Sequence, residues 1–159
     1  MTTTTHHPMF IGIDPGKKGA FAFYRPIDKH LYVVDTPLLP SGRVDGREIA
    51  RLLRPYGDAF TVIEQVHSLP NDGHVGAFNF GMSCGIVLGI LDALGMGYFS
   101  VKPEVWKALL LLYSDKSESL ERARVAFPDH AVYFALKKHD GRAEAALLAK
   151  LAAERFAPQ

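Results

Sequence analysis

The sequence has 159 residues, 48% of them hydrophobic and 22% charged, with a formal net charge of +1. These values are typical of a single globular domain and exclude a disordered, collagen-like or coiled-coil chain. The single cysteine, Cys84, excludes an internal disulfide framework and a cysteine-rich zinc site, and it indicates a reducing compartment. With so little net charge, any binding of nucleic acid would depend on local basic patches.

The sequence predicts neither a leader nor a membrane span. The first residues contain no basic region followed by an apolar segment, so no signal peptide is expected. Uninterrupted apolar runs such as Ala108–Tyr113 are far short of the ~20 residues that cross a bilayer. We therefore expect a cytoplasmic protein with a flexible segment at 1–9 and one domain at 10–159.

Apolar segments bounded by turn residues predict five strands and five helices. A short Gly- and Lys-containing link joins the first two strands as a hairpin, and helices connect the later strands. This order predicts an α/β fold with a mixed central sheet of about five strands flanked by helices. The predicted strands are Pro8–Asp14, Ala20–Tyr24, Leu31–Asp35, Phe60–Val66 and Tyr98–Val101. The predicted helices are Val44–Leu53, Phe78–Leu94, Glu104–Leu112, Glu118–Phe127 and Arg142–Phe156, and Ser68–Gly76 is predicted to be a loop.

Three glycines lie inside the predicted helix Phe78–Leu94. Gly81, Gly85 and Gly89 are four residues apart and therefore share one helix face. We interpret this face as a site of close packing against the sheet or against a partner helix.

Two carboxylates lie near the ends of predicted apolar strands. Asp14 ends the first strand, and Glu64 lies near the end of the fourth. A charge in this setting is costly unless a metal ion or a hydrogen-bond donor pairs with it. If the two strands are neighbours, the two carboxylates converge. For Asp14 alone, an ordinary turn residue before Pro-Gly is the alternative interpretation.

Two further carboxylates lie at the predicted start of the last helix. Asp140 and Glu144 are four residues apart and share a helix face if Asp140 begins the helix. A helix cap and a surface glutamate are the alternative interpretation of this pair. Four such carboxylates can together bind two Mg²⁺ ions, and ions ~3.5–4 Å apart can activate a water and stabilise the leaving oxygen of a phosphodiester.

Four sequence segments resemble the RuvC family of Holliday-junction resolvases. The resemblance extends from Phe10 to Leu151, and Phe78–Gly81 is most similar to the phage-type branch. It implies an RNase H-like fold, a homodimer and Mg²⁺-dependent cleavage of four-way DNA junctions in a bacterial or phage-infected cell, with Mn²⁺ as a substitute metal. The four segments are Ile11–Ala20, Ile63–Val66, Val101–Lys107 and Asp140–Ala145.

The resemblance also assigns the catalytic residues. Asp14 and Glu64 match the two strand carboxylates of the family, and Glu144 falls on the final carboxylate. The family more often has an aspartate at that final position and a second one three residues earlier, where this chain has Gly141. Either Asp140 replaces the missing aspartate after a small shift, or His139 joins the catalytic site. We expect Asp140 and the longer Glu144 to be metal ligands, and His139 to support a ligand or position the water.

Basic residues near these segments are candidates for DNA contact. His67 falls where the family often has an aromatic residue that stacks at the junction centre. Trp106, between two basic positions, is expected to pack in the core. The full set of DNA-binding candidates is Lys17, Lys18, His67, Lys102, Lys107, Lys116 and Arg142.

The sequence thus predicts a structure-selective endonuclease that nicks four-way junctions symmetrically and leaves 5′ phosphates. A nuclease of the same fold for branched DNA or RNA–DNA hybrids is one alternative, and a junction-binding protein without cleavage is another. The Asp-Pro-Gly turn also resembles the first phosphate loop of actin-like and sugar-kinase-like folds. The chain is too short for that two-domain architecture.

Overall fold

The computed structural model describes residues 8–66, 73–112 and 116–157, with the side chain of residue 116 outside the description. A five-stranded sheet in the order β3-β2-β1-β4-β5 forms its centre. The strands β1, β2 and β3 are antiparallel neighbours, whereas β4 runs parallel to β1 and β5 parallel to β4. The predicted mixed sheet is therefore confirmed. The strands are β1 (Phe10–Asp14), β2 (Ala20–Arg25), β3 (His30–Asp35), β4 (Phe60–Glu64) and β5 (Tyr98–Val101).

In the part of the chain that the structure describes, five α-helices flank the sheet, each overlapping a predicted helix. The prediction of a loop through Gly76 is wrong in part, because α2 begins at His74. The first turn of a helix tolerates turn residues, since its backbone N–H groups have no partner within the helix. The helices are α1 (Gly46–Leu53), α2 (His74–Ala93), α3 (Pro103–Leu109), α4 (Lys116–Ala126) and α5 (Asp140–Phe156). Short 3₁₀ helices cover Arg54–Tyr56, Pro128–Phe134 and Lys137–His139.

The central strand β1 divides the core into two layers. Its alternating side chains place Phe10 in the layer with α5, and Ile11 and Ile13 in the layer with α1 and α2. A Cβ on Gly12 would lie 2.0 Å from the carbonyl oxygen of Ala145. Only glycine at this position allows the backbone of α5 to lie directly on β1.

The helix α2 is apolar but poorly covered by the rest of the chain. It is long and apolar enough to cross a membrane by length and composition alone, a criterion that core helices also meet, and 22% of its most apolar window is buried. A Cβ on Gly81, Gly85 or Gly89 would meet nothing within 4 Å. Within the described residues, the expected close packing of this face against the sheet is therefore absent.

Candidate metal centre

Two acidic residues lie side by side at one edge of the sheet. The parallel register pairs Ile13 of β1 with Ile63 of β4, so the next residues, Asp14 and Glu64, end neighbouring strands. Both follow the alternation that faces α5. The predicted convergence of the two strand carboxylates is seen in the structure.

The helix α5 brings a third carboxylate to the same place. Asp14, Glu64 and Glu144 each offer one oxygen, and these oxygens all lie within 4.8 Å of one another. The N-terminal turn of α5 approaches the β1–β2 turn closely, because a Cβ on Gly141 would lie 2.4 Å from the Lys18 carbonyl oxygen and 2.9 Å from Asp14 Oδ2. This crowding leaves no room for a side chain at 141.

Asp140, the fourth expected ligand, lies at the same cavity. It lines the cavity with the other three acids, and its negative charge raises the pKa of Asp14. It is not one of the three residues whose oxygens lie within 4.8 Å of one another. Its direct contact with a metal ion therefore stays a prediction.

The negative charges of the acidic cluster repel one another. Burial raises the pKa of Asp14 well above its usual value, and the charges of Glu144, Glu64 and Asp140 raise it further. Burial and then the charge of Glu144 also raise the pKa of Glu64. Protonation of a carboxylate, or a bound cation, reduces the repulsion in such a cluster. Carboxylate oxygens are the ligands that Mg²⁺ and Mn²⁺ prefer, so these residues fit a divalent ion.

The helix α3 supplies partners to two of the acids. Lys107 Nζ lies 2.7 Å from Glu144 Oε1, and the indole Nε1–H of Trp106 donates to Glu64 Oε2 at 2.7 Å. Trp106 is fully buried, as expected, but its hydrogen bond to Glu64 was not predicted. The available signal was chemical, because a buried indole N–H usually finds an acceptor.

The acidic cluster lines a cavity of about 990 Å³. Lys17 and Lys18, both exposed, line it from the β1–β2 turn. Lys137 and Lys138, exposed residues of the 3₁₀ helix before α5, line it as well. Residues that sequence reasoning did not assign to the site also lie there: Asp35, Thr36, Asn79, Phe80 and Ser83. The cavity thus combines a negative floor with positive edges.

Among the described basic candidates, Arg142 and Lys102 do not line the cavity. Arg142 forms a two-point ion pair with Asp35, with both N–O distances at 2.6 Å. Lys102 is exposed at the start of α3. His67 and the side chain of Lys116 lie outside the described residues.

His139 also lines the cavity, but the backbone holds its ring. The N–H of Leu136 donates to its Nδ1 at 3.3 Å, and the ring also forms a hydrogen bond with the backbone of Tyr133. Burial and then the charge of Arg142 lower its pKa. This geometry fits a neutral imidazole that holds the turn before α5, and a catalytic role for His139 stays a prediction.

No family model matches the chain. A curated relative, the chloroplastic Holliday junction resolvase MOC1 of Chlamydomonas reinhardtii, is 36% identical over 108 residues. That match covers 64% of this chain and 12% of the relative's length.

Solved structures show the same architecture. RuvC of Thermus thermophilus in complex with a Holliday junction substrate has a TM-score of 0.58 at 17% identity, with 92% of this chain and 96% of that chain covered. The yeast mitochondrial Holliday junction resolvase Ydc2 has a TM-score of 0.52 at 16% identity, with 90% and 76% covered. The chain therefore has a RuvC-like, RNase H-like fold, and the resemblance expected from the sequence is confirmed.

Proposed function

We propose that this chain is a metal-dependent endonuclease that resolves four-way DNA junctions by symmetric phosphodiester hydrolysis. The observation that carries the proposal is the convergence of Asp14, Glu64 and Glu144 on one point, with oxygens within 4.8 Å of one another. The cavity beside them has exposed lysines at its edge, which suits a phosphate backbone. The curated relative and the yeast neighbour are Holliday junction resolvases, and the RuvC neighbour was solved with a Holliday junction substrate.

The resident metal in this proposal is Mg²⁺, two ions per site, with Mn²⁺ as a substitute. Asp14, Glu64 and Glu144 would hold the metal, and Asp140 would complete the ligand set. When bound, such ions activate a water molecule and stabilise the departing 3′ oxygen, which leaves a 5′ phosphate.

In this proposal, basic residues of the chain position the DNA substrate. Lys17 and Lys18 would contact phosphates at the cavity mouth, and Lys102 would extend this basic edge along α3. Phosphate contacts fix the register of DNA without reading its sequence. Specificity for the junction would come from its two-fold symmetry, matched by a symmetric dimer.

The helix α2 is the surface we assign to that dimer. Its exposed apolar side chains include Val75 and Phe78, and the Gly81, Gly85 and Gly89 stripe leaves room for a second helix to approach closely. Gly85→Glu should convert a dimer to a monomer in light scattering, whereas Gly57→Glu, in an exposed turn before β4, should not. Equal masses for both variants and the unchanged chain would contradict this interface.

The test of the function is cleavage of a labelled synthetic four-way junction in Mg²⁺. Linear duplex and an RNA–DNA hybrid are the comparison substrates, and Asp14→Asn is the inactive control. Paired symmetric nicks in the junction alone support the proposal. Similar rates on the other substrates would favour a general nuclease of this fold. Tight junction binding without a nick in Mg²⁺ or Mn²⁺ would favour a binding protein.

The same proposal places the chain in a reducing cytoplasm. The one cysteine, Cys84, is a buried free thiol whose pKa is raised to about 11 by burial and by the charge of Asp14. A protonated, buried thiol suits the reducing cytoplasm of a bacterial or phage-infected cell.

A further inference from the structure

The hydrogen bond between Trp106 and Glu64 lies within the candidate metal centre. The donor–acceptor distance is 2.7 Å, Trp106 is 0% exposed and Glu64 is 8% exposed. Both groups are therefore largely shielded from water. A buried donor that loses its acceptor is left unsatisfied, which strongly favours retention of this bond.

The fold sets this contact through the register of two strands. Glu64 pairs with Val101, so β5 ends directly beside the acid. Pro103 begins α3 just afterwards, and the backbone N–H of Trp106 closes the first turn on the carbonyl of Lys102. One helical turn after the strand end, the indole is thus brought back onto Glu64.

The hydrogen bond from Trp106 restricts the orientation of the Glu64 carboxylate. The carboxyl group of a glutamate rotates about a soft terminal torsion. With Oε2 fixed by the indole, this rotation is restricted and the group keeps one orientation toward Asp14 and Glu144. Replacing a residue that hydrogen-bonds a metal ligand from behind typically lowers metal affinity roughly 10- to 100-fold.

We propose that Trp106 is a positioning residue: its indole N–H orients Glu64 for a divalent cation. This inference rests on the proposed function for the identity of the cation, and it goes beyond that function by assigning a role to a side chain of the core. Trp106 itself touches neither substrate nor metal in this arrangement.

The first test is calorimetric titration of the DNA-free chain with Mn²⁺. Trp106→Phe removes the N–H while keeping an aromatic ring, and the affinity for Mn²⁺ should fall about 10-fold. Phe127→Leu is the matched control, because Phe127 is a buried aromatic residue of the same core layer and is 3% exposed. Its affinity should equal that of the unchanged chain. An unchanged affinity in Trp106→Phe, or equal losses in both variants, would overturn the inference.

A second measurement uses the unmodified chain, so it does not depend on the variant's folding. Trp106 is the one tryptophan in the sequence and gives a single indole N–H signal in an NMR spectrum. Titration with Mg²⁺ should shift this signal with the same midpoint as a calorimetric titration of the same chain with Mg²⁺. A signal that stays fixed while the metal binds would overturn the inference.

These readouts are separate from nuclease activity. Trp106-dependent Mn²⁺ binding without any junction cleavage would sink the proposed function and leave the positioning role intact. Junction cleavage with Mn²⁺ affinity indifferent to Trp106→Phe would do the reverse.

Discussion

Lys107 and Glu144 form an ion pair that joins α3 to α5 beside the acidic cluster. The Nζ–Oε1 distance is 2.7 Å, and the two side chains are 30% and 12% exposed. Burial and the neighbouring acids raise the pKa of both Asp14 and Glu64, and the ammonium group partly offsets that rise. In the absence of a metal ion, Lys107 therefore supplies part of the positive charge that the carboxylates need.

Lys107→Met tests this interpretation. The substitution leaves Glu144 without its partner and should lower the free energy of unfolding of the metal-free chain by about 1–3 kcal/mol. The same change removes a positive charge that competes with a cation, so added Mg²⁺ should raise the melting temperature more than in the unchanged chain. Thermal denaturation in EDTA and in Mg²⁺ measures both effects, and a smaller rise in the variant would contradict the second.

Asp14→Asn should separate stability from metal binding. Removing a buried charge that Glu144 and Glu64 repel should raise the melting temperature of the metal-free chain by about 2–4 °C, or about 1 kcal/mol for a chain of this size. The variant should lose the stabilisation by Mg²⁺, which in the unchanged chain amounts to about 2.7 kcal/mol at 100 times the Kd. The control is Asp58→Asn in an exposed turn, which should change neither quantity.

The stability of the metal-free chain should depend on pH through Asp14. Its raised pKa means that the folded chain holds this proton to a higher pH than the unfolded chain does. The free energy of unfolding therefore falls as pH rises from about 4, the ordinary carboxyl value, through the raised pKa. Below that window both states are protonated and Asp14 contributes nothing.

Urea denaturation from about pH 5 to about pH 8 in EDTA checks this dependence. The informative quantity is the difference between Asp14→Asn and the unchanged chain, because it cancels His139, whose lowered pKa acts in the opposite direction. The advantage of the variant should grow with pH. A difference in the free energy of unfolding that does not change across this pH range would show that the pKa of Asp14 is not raised in the folded chain.

Arg142 offers a test between DNA contact and an internal role. Its ion pair with Asp35 ties the first turn of α5 to the end of β3. In a double-mutant cycle of Arg142→Gln and Asp35→Asn, the coupling energy should be about 0.5–1 kcal/mol. Junction affinity should then fall in Arg142→Gln and not in Asp35→Asn if the guanidinium also contacts phosphate. Equal affinities in both variants would assign Arg142 to the fold alone.

Gly12→Ala should be strongly destabilising. Its Cβ would lie 2.0 Å from the Ala145 carbonyl oxygen and 2.6 Å from the Ala149 backbone nitrogen, so α5 must move away from β1. We expect a loss of about 3 kcal/mol in the free energy of unfolding. Gly97→Ala, where a Cβ meets nothing within 4 Å, is the control and should be neutral or slightly stabilising. Equal stability of the two variants would contradict the close approach.

The parts of the fold that depend on local pattern were predictable. Alternating apolar residues and turn signals indicated the strands, and charges at strand ends indicated Asp14 and Glu64. The Trp106–Glu64 bond was not predictable, because it depends on the register between β4 and β5 and on where α3 begins. The crowding at Gly141 depends in the same way on the distance between a helix and a turn. Periodicity likewise could not reveal that the glycine face of α2 lies open, since it specifies a face but not what covers it.

The contact of α5 with β1 also determines when the centre is assembled during protein synthesis. Asp14 and Glu64 leave the ribosome well before α5, which brings Glu144. Until α5 has been made and lies on Gly12, a nascent chain holds two repelling carboxylates at a sheet edge and lacks the third. An unfinished chain therefore carries no complete acidic centre until almost the entire domain has been translated.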